Sequence, residues 1–316
     1  MSLSRPALDP ELAGLLAQLP AAPPLNADTL PLLRQYRVPA ESFLEGRSIE
    51  RQELSIAAAD GAALPMSVFR PAGRATSPAP CIYWLHGGGM VLGDRFANLD
   101  IPLEWLERFG AVVVTLDYRL APEASGMSLV EDCYAGLAWV AAHAAELGID
   151  PQRIVAAGAS AGGGLTAGLA LLARDRGGPA LLAQVLLCPM LDHRNDSLSS
   201  RQYAEGPATW PRDANGFGWQ ALLGGDTAVP GYVSPALATD LANLPPAFID
   251  TGSAEVFRDE DAAYASRIWA AGGTAELHVW PGGFHGFDAL FPTARLSSIA
   301  RRTRSDWLGR LLDHSN

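Results

Sequence analysis

Short runs of nearly continuous apolar residues recur along the chain: CIYWL at 81–85, AVVVTLDY at 111–118, IVAAG at 154–158, AQVLLCP at 183–189, AFIDTG at 247–252 and AELHVW at 275–280. Runs of this length suit strands buried on both faces. Between them, apolar residues recur near 3.6 spacing at 99–109, 128–147, 161–175, 259–271 and 295–312, which predicts helices. Ahead of all of these, residues 51–71 alternate apolar and polar positions around Asp60-Gly61, the pattern of a hairpin. Strands alternating with helices build a mostly parallel sheet covered by helices, so the fold class is α/β.

Two segments break this rhythm. Residues 190–235 carry TWPRDANGFGWQALLGGD and no strand pattern, and read as an insertion over the C-terminal edge of the sheet, where open α/β folds bind ligands. The first 45 residues show helical spacing at 9–19 and 27–37, joined by the proline- and alanine-rich LPAAPPLNADTLP, and are expected to cap the core. The expected division is therefore 1–45 as one part of a helical cap, 46–189 and 236–316 as core, and 190–235 as a cap insertion.

Composition narrows the function classes. A net charge of -11, from 34 acidic and 23 basic residues without a basic run, argues against nucleic-acid binding. No stretch of about 18 apolar residues offers a membrane span. The opening residues lack the basic start and apolar core of a signal peptide, so the expected location is cytoplasmic. Cys81, Cys133 and Cys188 are odd in number and lack C-x-x-C spacing, which fits buried free thiols and no disulfide framework.

The candidate chemistry begins at Gly158-Ala159-Ser160-Ala161-Gly162, a G-x-S-x-G pattern placed after a strand and before a helix. A sharp strand-to-helix turn there would raise the serine Oγ above the sheet, and the helix N-terminus favours developing negative charge. Gly162, Gly164 and Ala167 also spell G-x-G-x-x-A, a dinucleotide pattern, but it begins four residues past the strand and lacks an acid about 20 residues on. Upstream, His86 precedes three glycines at a strand end. The HGGG pattern is one half of an oxyanion hole, with the N–H of Ala161 as the other donor, whereas a phosphate loop would end in G-K-[ST]. His86 itself reads as structural.

A nucleophilic serine needs a base and an acid, in the chain order Ser, acid, His. His143 falls in a helical stretch, His193 in the insertion, His278 in a strand and His314 in the tail. His285 follows the last strand in the glycine-rich WPGGFHGFD. In FIDTGSAEVFRDED, Asp250 lies in a strand, and Asp259, Glu260 and Asp261 begin a helix, where acids meet the positive dipole end. Glu255 is left on the loop, to hold the Nδ1 proton of His285.

Taken together, HGGG at 86–89, DYRLAPE at 117–123, GASAGG at 158–163, RDE at 258–260 and HGF at 285–287 resemble, in type and order, the bacterial hormone-sensitive-lipase-like esterases of the α/β-hydrolase superfamily. The resemblance covers roughly 50–312. It implies an α/β-hydrolase fold, a triad of Ser160, Glu255 and His285, and oxyanion-hole donors at Gly88, Gly89 and Ala161. Where the family usually has D-P-L-x-D-E, this chain has E-V-F-R-D-E, which puts Glu255 where aspartate is commoner. The chain also departs after YRLAPE, with ASGMSLVED in place of a His-Pro-Phe-Pro-like segment.

The expected activity is hydrolysis of carboxylic esters through an acyl-enzyme, with no metal and no cofactor, and turnover surviving chelation. The resemblance favours small esters with short to medium acyl chains. Phe43, Trp210, Phe217, Trp219 and Leu222 are candidate pocket walls, each equally suited to plain core. The same site would serve an amidase, lactonase or carbamate hydrolase, and a non-catalytic receptor on a hydrolase fold is the reading from another class. Expected partners are a small-molecule ester, no nucleic acid and no membrane; residues 275–312 form an edge that family members often pair, so the resemblance implies a homodimer.

Overall fold

In the computed structural model, residues 3–20, 22–73 and 78–313 are described. Three short helices, α1 (Pro10–Leu16), α2 (Leu30–Leu33) and α3 (Glu41–Leu44), precede the hairpin of β1 (Ile49–Ala57) and β2 (Ala63–Pro71). Then follow β3 (Ala79–Leu85), α4 (Asp100–Phe109), β4 (Val112–Leu116), α5 (Ser128–Ala142), α6 (Ala144–Leu147), β5 (Ile149–Ala159) and α7 (Ala161–Arg176). The chain continues through β6 (Ala183–Leu187), α8 (Leu198–Gln202), α9 (Arg212–Leu223), β7 (Ala247–Gly252), α10 (Arg258–Ala270), β8 (Ala275–Trp280), α11 (Phe287–Leu290) and α12 (Arg295–Asp313).

One eight-stranded sheet runs β1-β2-β4-β3-β5-β6-β7-β8. The hairpin is antiparallel and joins β4 antiparallel, whereas every pair from β4 across to β8 is parallel. Apolar runs split between two faces because successive strand residues point in opposite directions. Tyr83 and Leu85 of β3 join Ile154 and Ala156 of β5 in a core with α5 and α7, while Ile82 and Trp84 join Val155 and Ala157 in a core with α4 and α12. Both faces are thus covered, as a parallel sheet requires.

The sequence pattern and the structure differ in three places. The strand read at 154–158 starts at Ile149, and its pairing with β3 shifts register between Ala79 and Cys81. The helix expected at 128–147 breaks at His143 (φ -105°, ψ 20°) into α5 and α6. The helical spacing at 27–37 yields only the four-residue α2. Among the described residues, no helix is long and apolar enough to cross a membrane.

Candidate active site

Ser160 sits at the junction of β5 and α7 with φ 57° and ψ -120°, a left-handed backbone that the surrounding chain holds from both sides. Its N–H donates to the Leu187 carbonyl at 2.7 Å, and its carbonyl accepts from Met190 N and Gly164 N at 3.0 Å each. The turn can press against β3 because Gly162 has no side chain: a Cβ there would collide with the carbonyl oxygens of Leu85 and His86. The competing dinucleotide pattern, Gly162 to Ala167, lies wholly inside α7 instead of forming a strand-helix turn.

His285 and Glu255 converge on this serine from the loops after β8 and β7. His285 Nε2 is 3.0 Å from Ser160 Oγ, and His285 Nδ1 is 2.5 Å from Glu255 Oε2. The second Glu255 oxygen accepts from Thr251 Oγ1 at 2.8 Å and Gly252 N at 2.6 Å. Glu255 is 2% exposed, so these donors replace the water that a carboxylate would otherwise keep. Phe257 meets the His285 ring edge-on at 5.1 Å, and Thr209 Oγ1 donates to the His285 carbonyl at 2.8 Å.

The loop after β3 lies against the same serine. A Cβ at Gly87 would stand 3.3 Å from Ser160 Cβ. Gly88 takes φ +123°, open only to glycine without strain, and its carbonyl accepts from Val91 N and Leu92 N, curling the loop back on itself. Among the described residues, no turn or loop hydrogen bond is donated by the N–H of Gly88, Gly89 or Ala161. His86 is buried beneath the loop, stacked 4.2 Å from Tyr118, whose hydroxyl donates to the His86 carbonyl. Burial holds the His86 imidazole below its ordinary pKa, which keeps it neutral and structural.

The DYRLAPE segment forms the frame behind this loop. Arg95 pairs with Asp117, Arg119 forks onto the buried Asp132, and Ala121 N donates to the Met90 carbonyl. Arg34 of the N-terminal region bonds the carbonyls of Val91 and Ala121 and pairs with Glu123.

A second frame stands behind the acid and histidine loops. Arg304 of α12, 3% exposed, bridges Asp250 at the end of β7 to Asp288, three residues past His285. Burial raises the Asp250 carboxyl. Burial also works against the charge of Asp288, but Arg304 outweighs it and holds that carboxyl below its usual range.

The candidate wall residues separate. Trp210 reaches the site: its ring lies against Gly89 and 6.3 Å from His285, and it lines a narrow cavity with Tyr203, Thr209, Glu255 and His285. Trp219 and Leu222 are buried in the α5 and α7 core, and Phe217 packs against that core. Phe43 packs on the opposite face of the sheet, in the cluster that holds Trp105 and Trp307. Of the remaining histidines, His143 stacks on Trp139, His193 faces Trp219 and His278 stacks between Phe248 and Trp280. His314 lies outside the described residues. Thr251, Thr209 and Cys188, all placed around Ser160, His285 and Glu255, carry no signal that isolates them in the sequence.

Comparison with known proteins gives one consistent result. A family profile described as alpha/beta hydrolase fold matches residues 82–289. Carboxylesterase NlhH of Mycobacterium tuberculosis is 36% identical over 294 residues, 90% of each chain, and esterase LipI of the same species is 32% identical over 303 residues, 92% of each. The solved structure of a bacterial heroin esterase superposes with a TM-score of 0.89 at 36% identity, covering 97% of this chain and 98% of the other.

Proposed function

Because the chain belongs to the alpha/beta hydrolase fold family, we infer that Ser160, His285 and Glu255 form the catalytic triad of a carboxylic ester hydrolase acting on small esters with short to medium acyl chains. The observation that carries this reading is the unbroken hydrogen-bonded line from Glu255 through His285 to Ser160. Relatives over nine-tenths of the chain are a carboxylesterase and an esterase, which supports the ester as the bond attacked.

Ser160 Oγ attacks the ester carbonyl as His285 Nε2 takes its proton. Glu255 keeps the remaining ring proton on Nδ1 and stabilises the imidazolium. The N–H groups of Gly88, Gly89 and Ala161 donate to the oxyanion of the tetrahedral intermediate, an electrostatic contribution worth about 3–4 kcal/mol per donor. His285 then protonates the leaving alcohol, and water, activated by the same imidazole, releases the acid and restores Ser160. Trp210, lying against the oxyanion loop and facing His285, limits the room beside the reacting carbon and is assigned to the pocket wall.

The test is a panel of p-nitrophenyl esters of increasing acyl length set beside the matching anilides. The reading expects kcat/KM to be greatest for a short or medium ester and to fall for long chains, with anilides far slower. Preference for the anilides would make the protein an amidase.

A further inference from the structure

Cys188 follows β6 directly and sits between the two residues that grip the serine turn, since Leu187 accepts from Ser160 N and Met190 donates to Ser160 O. The other thiols, Cys81 and Cys133, are fully buried in the core, but Cys188 is partly exposed. A ligand atom each from Cys188, Glu255 and His285 lie within 4.8 Å of one another. Thiol, imidazole and carboxylate are a donor set suited to a zinc-type cation, whose bonds of about 2.0–2.3 Å would draw the three groups together and leave a fourth position to water.

We propose that Cys188, Glu255 and His285 form an inhibitory site for a thiophilic divalent cation such as Zn²⁺, whose binding silences the triad reversibly. The cation takes the Cys188 thiolate, one Glu255 oxygen and one imidazole nitrogen, and the thiol proton passes to solvent. Bound at Nδ1, it displaces the ring proton to Nε2; bound at Nε2, it occupies that lone pair itself. Either way His285 has no nitrogen left to accept the proton of Ser160. The loss of turnover rests on the reading of His285 as general base, whereas the cation site does not.

The experiment uses chelator-treated protein titrated with Zn²⁺ for esterase turnover and with Co²⁺ for absorbance. Wild type should lose turnover and recover it on addition of EDTA, and should develop a near-ultraviolet thiolate-to-cobalt charge-transfer band. In Cys188→Ala and Cys188→Ser the band should vanish and the inhibitory Zn²⁺ concentration should rise by about tenfold or more. Equal Zn²⁺ sensitivity in all three proteins, or no band in wild type, would overturn the site. A Cys188-dependent band with turnover untouched would show a cation that leaves His285 free and would overturn the inhibitory role, with the reading of His285 as base unaffected.

Discussion

One oxygen of Glu255 meets His285 Nδ1 at 2.5 Å, while its other oxygen is held by the Thr251 hydroxyl and the Gly252 N–H. The carboxylate is thus fixed at both ends. Glu255→Gln should lower kcat by about 10²- to 10⁴-fold, because an amide cannot hold the ring proton on Nδ1 in the same way. Asp259 instead accepts from Ser199 N and pairs with Arg258. Asp259→Asn should cost about 1 kcal/mol or less of stability and leave kcat near wild type. Steady-state kinetics and thermal melts of the two variants check the ranking; the reverse order would transfer the acid to Asp259.

The Thr251 hydroxyl donates to Glu255 and touches no reacting atom. Thr251→Val removes one hydrogen bond to a charged group, and kcat should fall by about tenfold, the equivalent of roughly 1.4 kcal/mol, with KM unchanged. Thr251→Ser should restore most of the loss. Equal kcat values for valine and serine would show that the hydroxyl does nothing for Glu255.

The loop of Gly87, Gly88 and Gly89 makes a sharper demand. Gly88→Ala places a side chain at φ +123° and against the Leu92 carbonyl, so the loop must shift. Turnover should drop by about 10²- to 10³-fold, the usual cost of losing one donor, with substrate affinity changed far less. A variant that keeps full kcat would remove this loop from the oxyanion hole.

Much of this was legible in the chain. The strands declare themselves as apolar runs, and Ser160, His285 and HGGG each stand at a strand end where glycines mark a sharp turn. Less legible is what depends on which face a residue meets. Phe43 and Trp210 are both aromatic residues of segments whose pattern predicts a cap, yet one packs behind the sheet with Trp105 and the other against Gly89. Thr251 and Cys188 are hidden for a different reason: each lies at the end of an apolar strand, and their proximity to Glu255 and His285 comes only from the order β6-β7-β8 in the sheet.

Buried acids behind the site set a pH dependence of stability. Burial, together with Glu260 and Glu255, pushes the Asp261 carboxyl well above its ordinary value, with Thr251 opposing. Between the unfolded and folded pKa values the native state binds the extra proton at Asp261, so this group's contribution to stability is full below the ordinary aspartate range and declines as pH rises. Asp261→Asn stays neutral and should flatten that decline, raising Tm at neutral pH relative to wild type. Melting curves across acidic to neutral pH check this, and an unchanged slope would refute it.

The central claim is that Ser160 is the nucleophile. The most direct measurement is labelling with a fluorophosphonate, followed by peptide mapping and by assay of Ser160→Ala on a short-chain p-nitrophenyl ester. The account predicts a single adduct on Ser160, activity lost in step with labelling, and neither adduct nor more than a trace of turnover in the variant. An adduct on another residue, or a Ser160→Ala protein that still turns over the ester, would contradict it.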